Sequence, residues 1–340
     1  EFYQIIHDAG GFDVIIGNPP YVTFTDTSLP YSTVNFRTYT TKNLFALVGE
    51  RCTVISNKNS SIGYIIPLSG MSIDGFEKFQ NIIYANRISW NSYYSGDRNP
   101  SELFTGVKIR AGIYLSRSSQ NLTKYVSKYI KYYSEERDIL FSKLCYVDCF
   151  DCVSAPKLHG DLGKVVIEKM NSAPKSLAME LVGIDSFYYH AAPIHWGKAL
   201  NDLSPLQTRQ LNIADSYKRR NISPLYKNFA FDLVHSTLFF YFWIVYSDCY
   251  NLTKKYFSLI HVPSISNSSV WDNLADRLNE DMIDNMQIAE YTYKNKGTVR
   301  FAQFFPKKSK PIIPIILEDG DIINVDCSTI LNGYFSDSYE

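Results

Sequence analysis

The sequence predicts an α/β domain followed by an α+β domain. Three observations predict it. Short apolar runs recur through the first third of the chain, separated by helical patterning, as in a sheet with helices packed on it. One of them, Phe12-Asp13-Val14-Ile15-Ile16-Gly17, has the composition of a buried strand and runs straight into Asn18-Pro19-Pro20-Tyr21. Past a polar stretch at 116–122 the pattern changes to long helical runs with isolated strand-like segments, and 340 residues is a length for two domains.

The first domain is expected to span 1–118, with strands at 14–17, 63–66, 89–94 and 108–115. A helix is expected at 43–56, where Leu44, Leu47, Val48, Cys52 and Ile55 recur close to a 3.6 period. A second, at 73–85, has Ser72 as its N-cap candidate. Residues 23–39 show no periodicity and read as a polar, aromatic loop of a length that usually serves function or stays unfolded. The second domain, 119–340, has helical patterning at 122–144, 162–170 and 235–250, and strand-like runs at 186–190 and 310–317. No repeat of fixed period is visible.

Hydrophobic residues make up 45% of the chain, enough for substantial cores. Aromatics reach 15%, with 26 Tyr and 21 Phe, and most of them are expected in packing. A formal net charge of zero argues weakly against a nucleic-acid partner, so local clusters carry more weight than the sum. The longest apolar run, 237–246, is too short to span a bilayer and reads as a buried helix. With no signal peptide either, a soluble cytoplasmic protein with no membrane partner is expected. Cys145, Cys149 and Cys152 have C-x3-C-x2-C spacing, but Asp151 stands where an iron–sulfur loop would carry an aromatic. Reduced thiols are the expectation. A zinc site would lack an evident fourth ligand, His159 being the nearest, and no metal is expected.

The tetrapeptide carries the chemistry. Its prolines fix φ and remove two backbone donors. What faces outward is then acceptors, the Asn18 side-chain oxygen and the Pro19 carbonyl, with Tyr21 as a stacking face. That cup suits the exocyclic amine of a base flipped out of a duplex. Asn-Pro and Pro-Pro are also plain turn signals. The strand in front of them favours a site, because ligands of open α/β sheets sit beyond the carboxyl ends of strands.

The stretch Asp13 to Tyr21 resembles motif IV of the amino-methyltransferases that use S-adenosylmethionine. Asn43-Leu44-Phe45-Ala46-Leu47 is similar to the start of the following helix in the gamma class of N6-adenine DNA methyltransferases. Gly63-Tyr64-Ile65-Ile66-Pro67 resembles the next strand of that class, and the run from Val107 to Leu115 a later one. Tyr188-Tyr189-His190, Pro193, Trp196 and the run from Phe242 to Cys249 resemble, more loosely, the target-recognition portion of large fused restriction-modification and phage-defence methylases.

The resemblance implies the C-terminal half of a Rossmann-like methyltransferase sheet in 1–118 and an α+β target-recognition domain in 119–340. It implies methyl transfer from S-adenosylmethionine to N6 of a flipped adenine in double-stranded DNA. Asn18, Pro19, Pro20 and Tyr21 would be catalytic, with Tyr21 stacking on the base. Phe104 would stack on its other face, or else is a core residue. No Gly-x-Gly-x-x-Gly follows a strand, so the cofactor site is expected mostly outside this chain. The chain is accordingly expected to be a fragment, or one part of a split enzyme, with the missing N-terminal half as a partner. Two basic clusters are candidates for phosphate contact: Lys218-Arg219-Arg220 with Lys227 nearby, and 294–310, which includes Lys307 and Lys308. Two other readings stand beside this one: a non-catalytic DNA-specificity module, and a methyltransferase of a protein glutamine amide or of RNA. No Glu-x-Lys nuclease element occurs.

Overall fold

The computed structural model describes residues 2–96, 103–104, 108–132, 134–149, 153–193, 197–295 and 297–304, and two-residue strands at 315–316 and 322–323. The chain forms two compact units, 1–165 with 244–248, and 166–243 with 249–340.

In the first unit, a short helix α1 (Phe2–His7) precedes β1 (Phe12–Gly17). Then come α2 (Leu44–Ile55), β2 (Ser56–Pro67), α3 (Ser69–Ser72), α4 (Glu77–Ile83), β3 (Arg87–Tyr94), β4 (Ala111–Ser118), β5 (Lys124–Ile130), β6 (Val147–Asp148) and α5 (Gly160–Asn171). The six strands form one mixed sheet in the order β1-β2-β4-β3-β5-β6. β1 runs parallel to β2, whereas β4 is inserted antiparallel between β2 and β3. This is the mixed α/β architecture the sequence predicts, but the sheet continues past the expected boundary at 118, because β5 pairs with β3.

The two faces of the sheet differ sharply. One row, Gly17–Tyr64–Tyr114–Asn91–Val126, crosses five strands in register. Tyr64, Tyr114, Asn91 and Val126 in it are at most 2% exposed. Helices α2 to α4 cover this face. Gly49 of α2 lets α4 approach, since a Cβ there would lie 2.5 Å from the Phe79 ring. The adjacent row on the opposite face, Ile16–Gly63–Leu115–Trp90–Tyr125, leaves Ile16 83% and Leu115 49% exposed. Arg87 ties β3 to its neighbours from within. Its guanidinium donates to Ser116 Oγ (2.8 Å), Ser60 Oγ (3.2 Å) and the Ser60 carbonyl (2.7 Å).

The second unit contains β7 (Lys175–Ser176), β8 (Asp185–His190), β9 (Ala199–Leu200), α6 (Ser204–Thr208), β10 (Tyr217–Ile222) and α7 (Pro224–His235). α8 (Thr237–Tyr246), α9 (Lys254–Leu259), β11 (His261–Val262), α10 (Ser269–Asn285) and the hairpin of β12 (Gln287–Tyr293) and β13 (Gly297–Gln303) follow. β14 (Ile315–Ile316) pairs with β15 (Ile322–Ile323). A three-stranded sheet has the order β10-β8-β9. Phe229 of α7 meets Trp271 of α10 edge-on at 4.8 Å. His235 closes α7 as a neutral ring. Its Nε2 accepts from the Ala199 N–H at 3.2 Å, its Nδ1 lies 2.9 Å from the Phe231 carbonyl, and burial pushes its pKa down to about 4.

Several sequence expectations need correction. Residues 122–144 are helical only in their second half, as a 3-10 helix at Ser134–Lys143; β5 occupies 124–130, where Tyr125, Val126, Tyr129 and Ile130 favour a pleated surface. Of the helix expected at 73–85 only Glu77–Ile83 is helical, as α4; α3 ends before that span at Ser72, and Gly75, with a φ of +97°, breaks helical geometry between the two. Ser72 is therefore inside α3 and not an N-cap. Helix 43–56 is α2, but its inward residues are Phe45, Ala46, Leu47, Gly49 and Glu50, with Val48 turned outward. At 235–250 the helix is α8, and the preceding helix α7 was not expected. The compact units divide at 165 instead of 118. Of 310–317, only β14 lies among the described residues. No single described helix is long and apolar enough to cross a membrane, and the apolar pair α7–α8 is bent by 73°.

Candidate functional site

β1 and β2 run parallel, so their carboxyl ends emerge side by side. Gly17, the last residue of β1, is in register with Tyr64 of β2. Asn18, Pro19, Pro20 and Tyr21 follow at once. Pro19 is buried, Asn18 and Pro20 are exposed, and Tyr21 is half-buried. The Tyr21 hydroxyl donates to the Ile65 carbonyl near the end of β2, at 3.0 Å. That bond holds the phenol ring beside the mouth of the two strands. Partial burial pushes its pKa up to about 12, so the hydroxyl stays a neutral donor at any physiological pH. Neither the Asn18 amide nor the Pro19 carbonyl bonds to another described residue. The corner thus carries two oxygens without a partner among the described residues, followed by one anchored aromatic ring.

The loop after the cup is ordered by a residue that periodicity did not single out. Glu50 of α2, 9% exposed, accepts from the backbone N–H groups of Arg37 (2.9 Å) and Thr38 (2.8 Å) and from the Thr38 hydroxyl (2.8 Å). A carboxylate on the apolar side of a predicted helix, three residues after Leu47, was the available signal. At the near end, Phe24 N donates to the Lys42 carbonyl and Leu44 N to the Val22 carbonyl, both at 2.9 Å. Asp26 accepts from the Lys42 ammonium and the Tyr39 hydroxyl, and both bonds hold its carboxyl below the ordinary value. The Lys42 ammonium also lies 3.5 Å from the centre of the Tyr39 ring. Residues 23–39 are therefore a latched strap whose ends close on α2.

The other expected site residues fall elsewhere. Phe104 is half-buried and packs against a cluster that includes Tyr94, Leu103, Ile130 and Leu140. Lys218, Arg219 and Arg220 lie on β10 in the second unit. Lys218 and Arg219 are exposed, while Arg220 is half-buried with its Nε covered and unpartnered. Lys307 and Lys308 lie outside the described residues. In the rest of that basic cluster, Arg300 pairs with Glu290 across the β12–β13 hairpin at 3.2 Å. Cys145 is exposed and Cys149 half-buried, and Cys152 lies outside the described residues.

Residues 1–99, which contain the cup and its strap, match the family described as Eco57I restriction-modification methylase. No curated protein matches the chain. Among solved structures, the chain is similar to a DrdV–DNA complex at 10% identity and a TM-score of 0.34, over 55% of this chain and 23% of that one. A nuclease-deletion mutant of the Type ISP restriction-modification enzyme LlaGI, in complex with a DNA substrate mimic, gives 10% identity and a TM-score of 0.34 over 54% and 18%. A modification subunit of a putative type I restriction enzyme from Vibrio vulnificus YJ016 gives 14% and 0.29 over 39% and 28%. The chain spans less than a third of the length of each of these structures.

Proposed function

We propose that this chain is the acceptor-binding part of a DNA methyltransferase of the restriction-modification kind, acting on N6 of an adenine flipped out of duplex DNA. The observation that carries the reading is the corner at the end of β1. The Asn18 and Pro19 oxygens have no partner among the described residues, and they directly precede Tyr21, whose hydroxyl the Ile65 carbonyl holds. The Eco57I-type match over 1–99 supports it.

The chemistry follows from the amine. N6 of adenine is a poor nucleophile because its lone pair is delocalised into the ring. Two N–H groups bonded to Asn18 Oδ1 and the Pro19 carbonyl draw the nitrogen towards tetrahedral geometry. The same oxygens accommodate positive charge growing on it, which is preorganised electrostatic stabilisation. Tyr21 stacks on the base, a contact worth about 1–3 kcal/mol in single-stranded systems.

The methyl donor in this reading is S-adenosylmethionine, whose pocket we place mostly outside the described residues. No glycine-rich turn follows a strand among them, and β1 is the edge of the sheet. An apolar parallel strand at an open edge, with Val14 59% and Ile16 83% exposed, is the opposite of how parallel sheets are usually buried. The reading therefore includes a partner, the N-terminal half of the methyltransferase, pairing along β1 and bringing the cofactor site. A cytoplasmic setting, where DNA and the donor meet, belongs to the same proposal.

The test is Asn18→Ala in the protein completed by that half. Turnover on duplex DNA should fall by about 10²-fold or more, with DNA affinity little changed, because the contact strengthens as charge develops. Equal losses in both would assign Asn18 to binding alone, and methylation of RNA or of a glutamine amide in place of DNA would overturn the substrate.

A further inference from the structure

We infer that the polar cavity on the outer face of β8 is where the second unit reads a base carrying an exocyclic amine, adenine or cytosine, with Arg219 on the neighbouring phosphate. The inference rests on the DNA-methyltransferase reading and names the side chains that would give it sequence preference.

The cavity has a volume of about 290 Å³, near the lower end of the roughly 300–1,000 Å³ of small-ligand pockets and so suited to one base at a time. Its floor is Ser186 and Tyr188 of β8, and its walls come from the β9–α6 turn and from Lys227 of α7. Strand alternation explains the floor. Phe187 and Tyr189 point into the core, at 0% and 3% exposure, so Ser186 and Tyr188 point the other way.

The wall is rich in acceptors, with the Lys227 ammonium beside them. Asp202 accepts from the Ser204 N–H (2.9 Å) and hydroxyl (2.8 Å), and these bonds, with the Lys227 charge and the Leu203 N–H, keep its carboxyl below the ordinary value and ionised. The Asn201 amide is fixed in orientation. Its Nδ2 donates to Asn228 Oδ1 at 3.0 Å, and Asn228 in turn donates to Asp272 Oδ1 at 2.8 Å. This leaves Asn201 Oδ1 covered and without a donor. Asp185 likewise makes no side-chain bond among the described residues. Gln207, exposed at the rim, offers both a donor and an acceptor. Carboxylates accept from the cytosine amine, and an amide fits the N6/N7 edge of adenine.

An acceptor-rich cavity alone would suit any cation. The sheet decides between a cation and a base. β10 pairs antiparallel with β8, and Arg219 stands directly opposite Tyr188. Directly opposed residues share a face and sit about 5 Å apart at Cα. Arg219 is therefore on the cavity side, whereas Arg220, opposite Phe187, is on the core side. A ligand that offers an amine to the cavity and an anion to Arg219, one strand away, is a nucleotide in a chain. An arginine-rich peptide offers only the first.

Selection of the full chain from a random-sequence duplex library tests this. Wild type should enrich a motif. Asp202→Asn and Gln207→Ala should each lose about tenfold or more of discrimination at one position and keep the rest of the motif. Arg219→Ala should weaken all sequences alike and lower the salt slope by about one. All three side chains are exposed, so unchanged melting checks the fold. A wild-type motif that both cavity variants reproduce unaltered overturns this inference and leaves the function intact. No duplex binding by wild type fails the functional reading and this one with it. An oligoarginine peptide bound in place of duplex, and lost in Asp202→Asn, would give the cavity to a protein partner and overturn the assignment.

Discussion

Asp232 offers a strong test of the second unit's electrostatics. It lies in α7 at 2% exposure, among Phe229, Ala230, Phe231, Leu233 and Val234, each at most 1% exposed. Neither carboxylate oxygen has a hydrogen-bond partner among the described residues. Burial first, and then the charges of Asp272 and Asp276 on α10, push its pKa well above the ordinary 3.8. The folded chain therefore holds a proton that the unfolded chain releases. The sign follows: the contribution is fully favourable below about pH 3.8 and is lost as the pH rises above it.

Asp232→Asn keeps the shape and removes the titration. Its stability should match wild type near pH 4 and then pull ahead by about 1.4 kcal/mol for each pH unit. The lead stops growing once the folded carboxyl ionises. For a unit of this size, each kcal/mol is about 2–4 °C in melting temperature. Trp271 reports the event directly, since its ring packs on Phe229 one turn from the substitution. Fluorescence-detected melting from pH 4 to 8 is the assay. A gap that stays constant with pH, or an Asn variant less stable at pH 7, would refute the reasoning.

Two further predictions concern the first unit. Glu50→Ala strands three donors of the strap and should cost about 3 kcal/mol; limited proteolysis should then cut within 23–39, and a strap as resistant as wild type would count against the latch. Lys157 is fully buried, and its ammonium donates to Ser72 Oγ (3.2 Å) and to the carbonyls of Val245 (3.1 Å) and Ser247 (2.7 Å). Lys157→Met should release residues 244–248 from the unit, read as faster amide exchange at Ser247, with no change expected in the β1–β2 pairing.

Local physics made part of this protein readable from its residues alone. A continuous apolar run closed by Asn-Pro-Pro-Tyr has few conformations open to it, and β1 stands where that run said it would. The helix at 43–56 was equally plain from its period. Its phase was not, because Val48 and Leu47 are equally apolar and only the packing of Phe79 against Gly49 selects the inward face. Residues 122–144 misled for a related reason. Their composition allows either period, and the open edge of β3 captured 124–130 as a strand.

What tertiary structure alone decided are the relations between distant residues. Glu50 meets the strap twelve positions before it. Arg219 shares a face with Tyr188, and Arg220 does not. Asp232 lies under the field of two carboxylates on another helix. Such pairings depend on which strand lies beside which and on what each face covers. Those are outcomes of summed burial over the whole chain, and no local stretch of sequence encodes them.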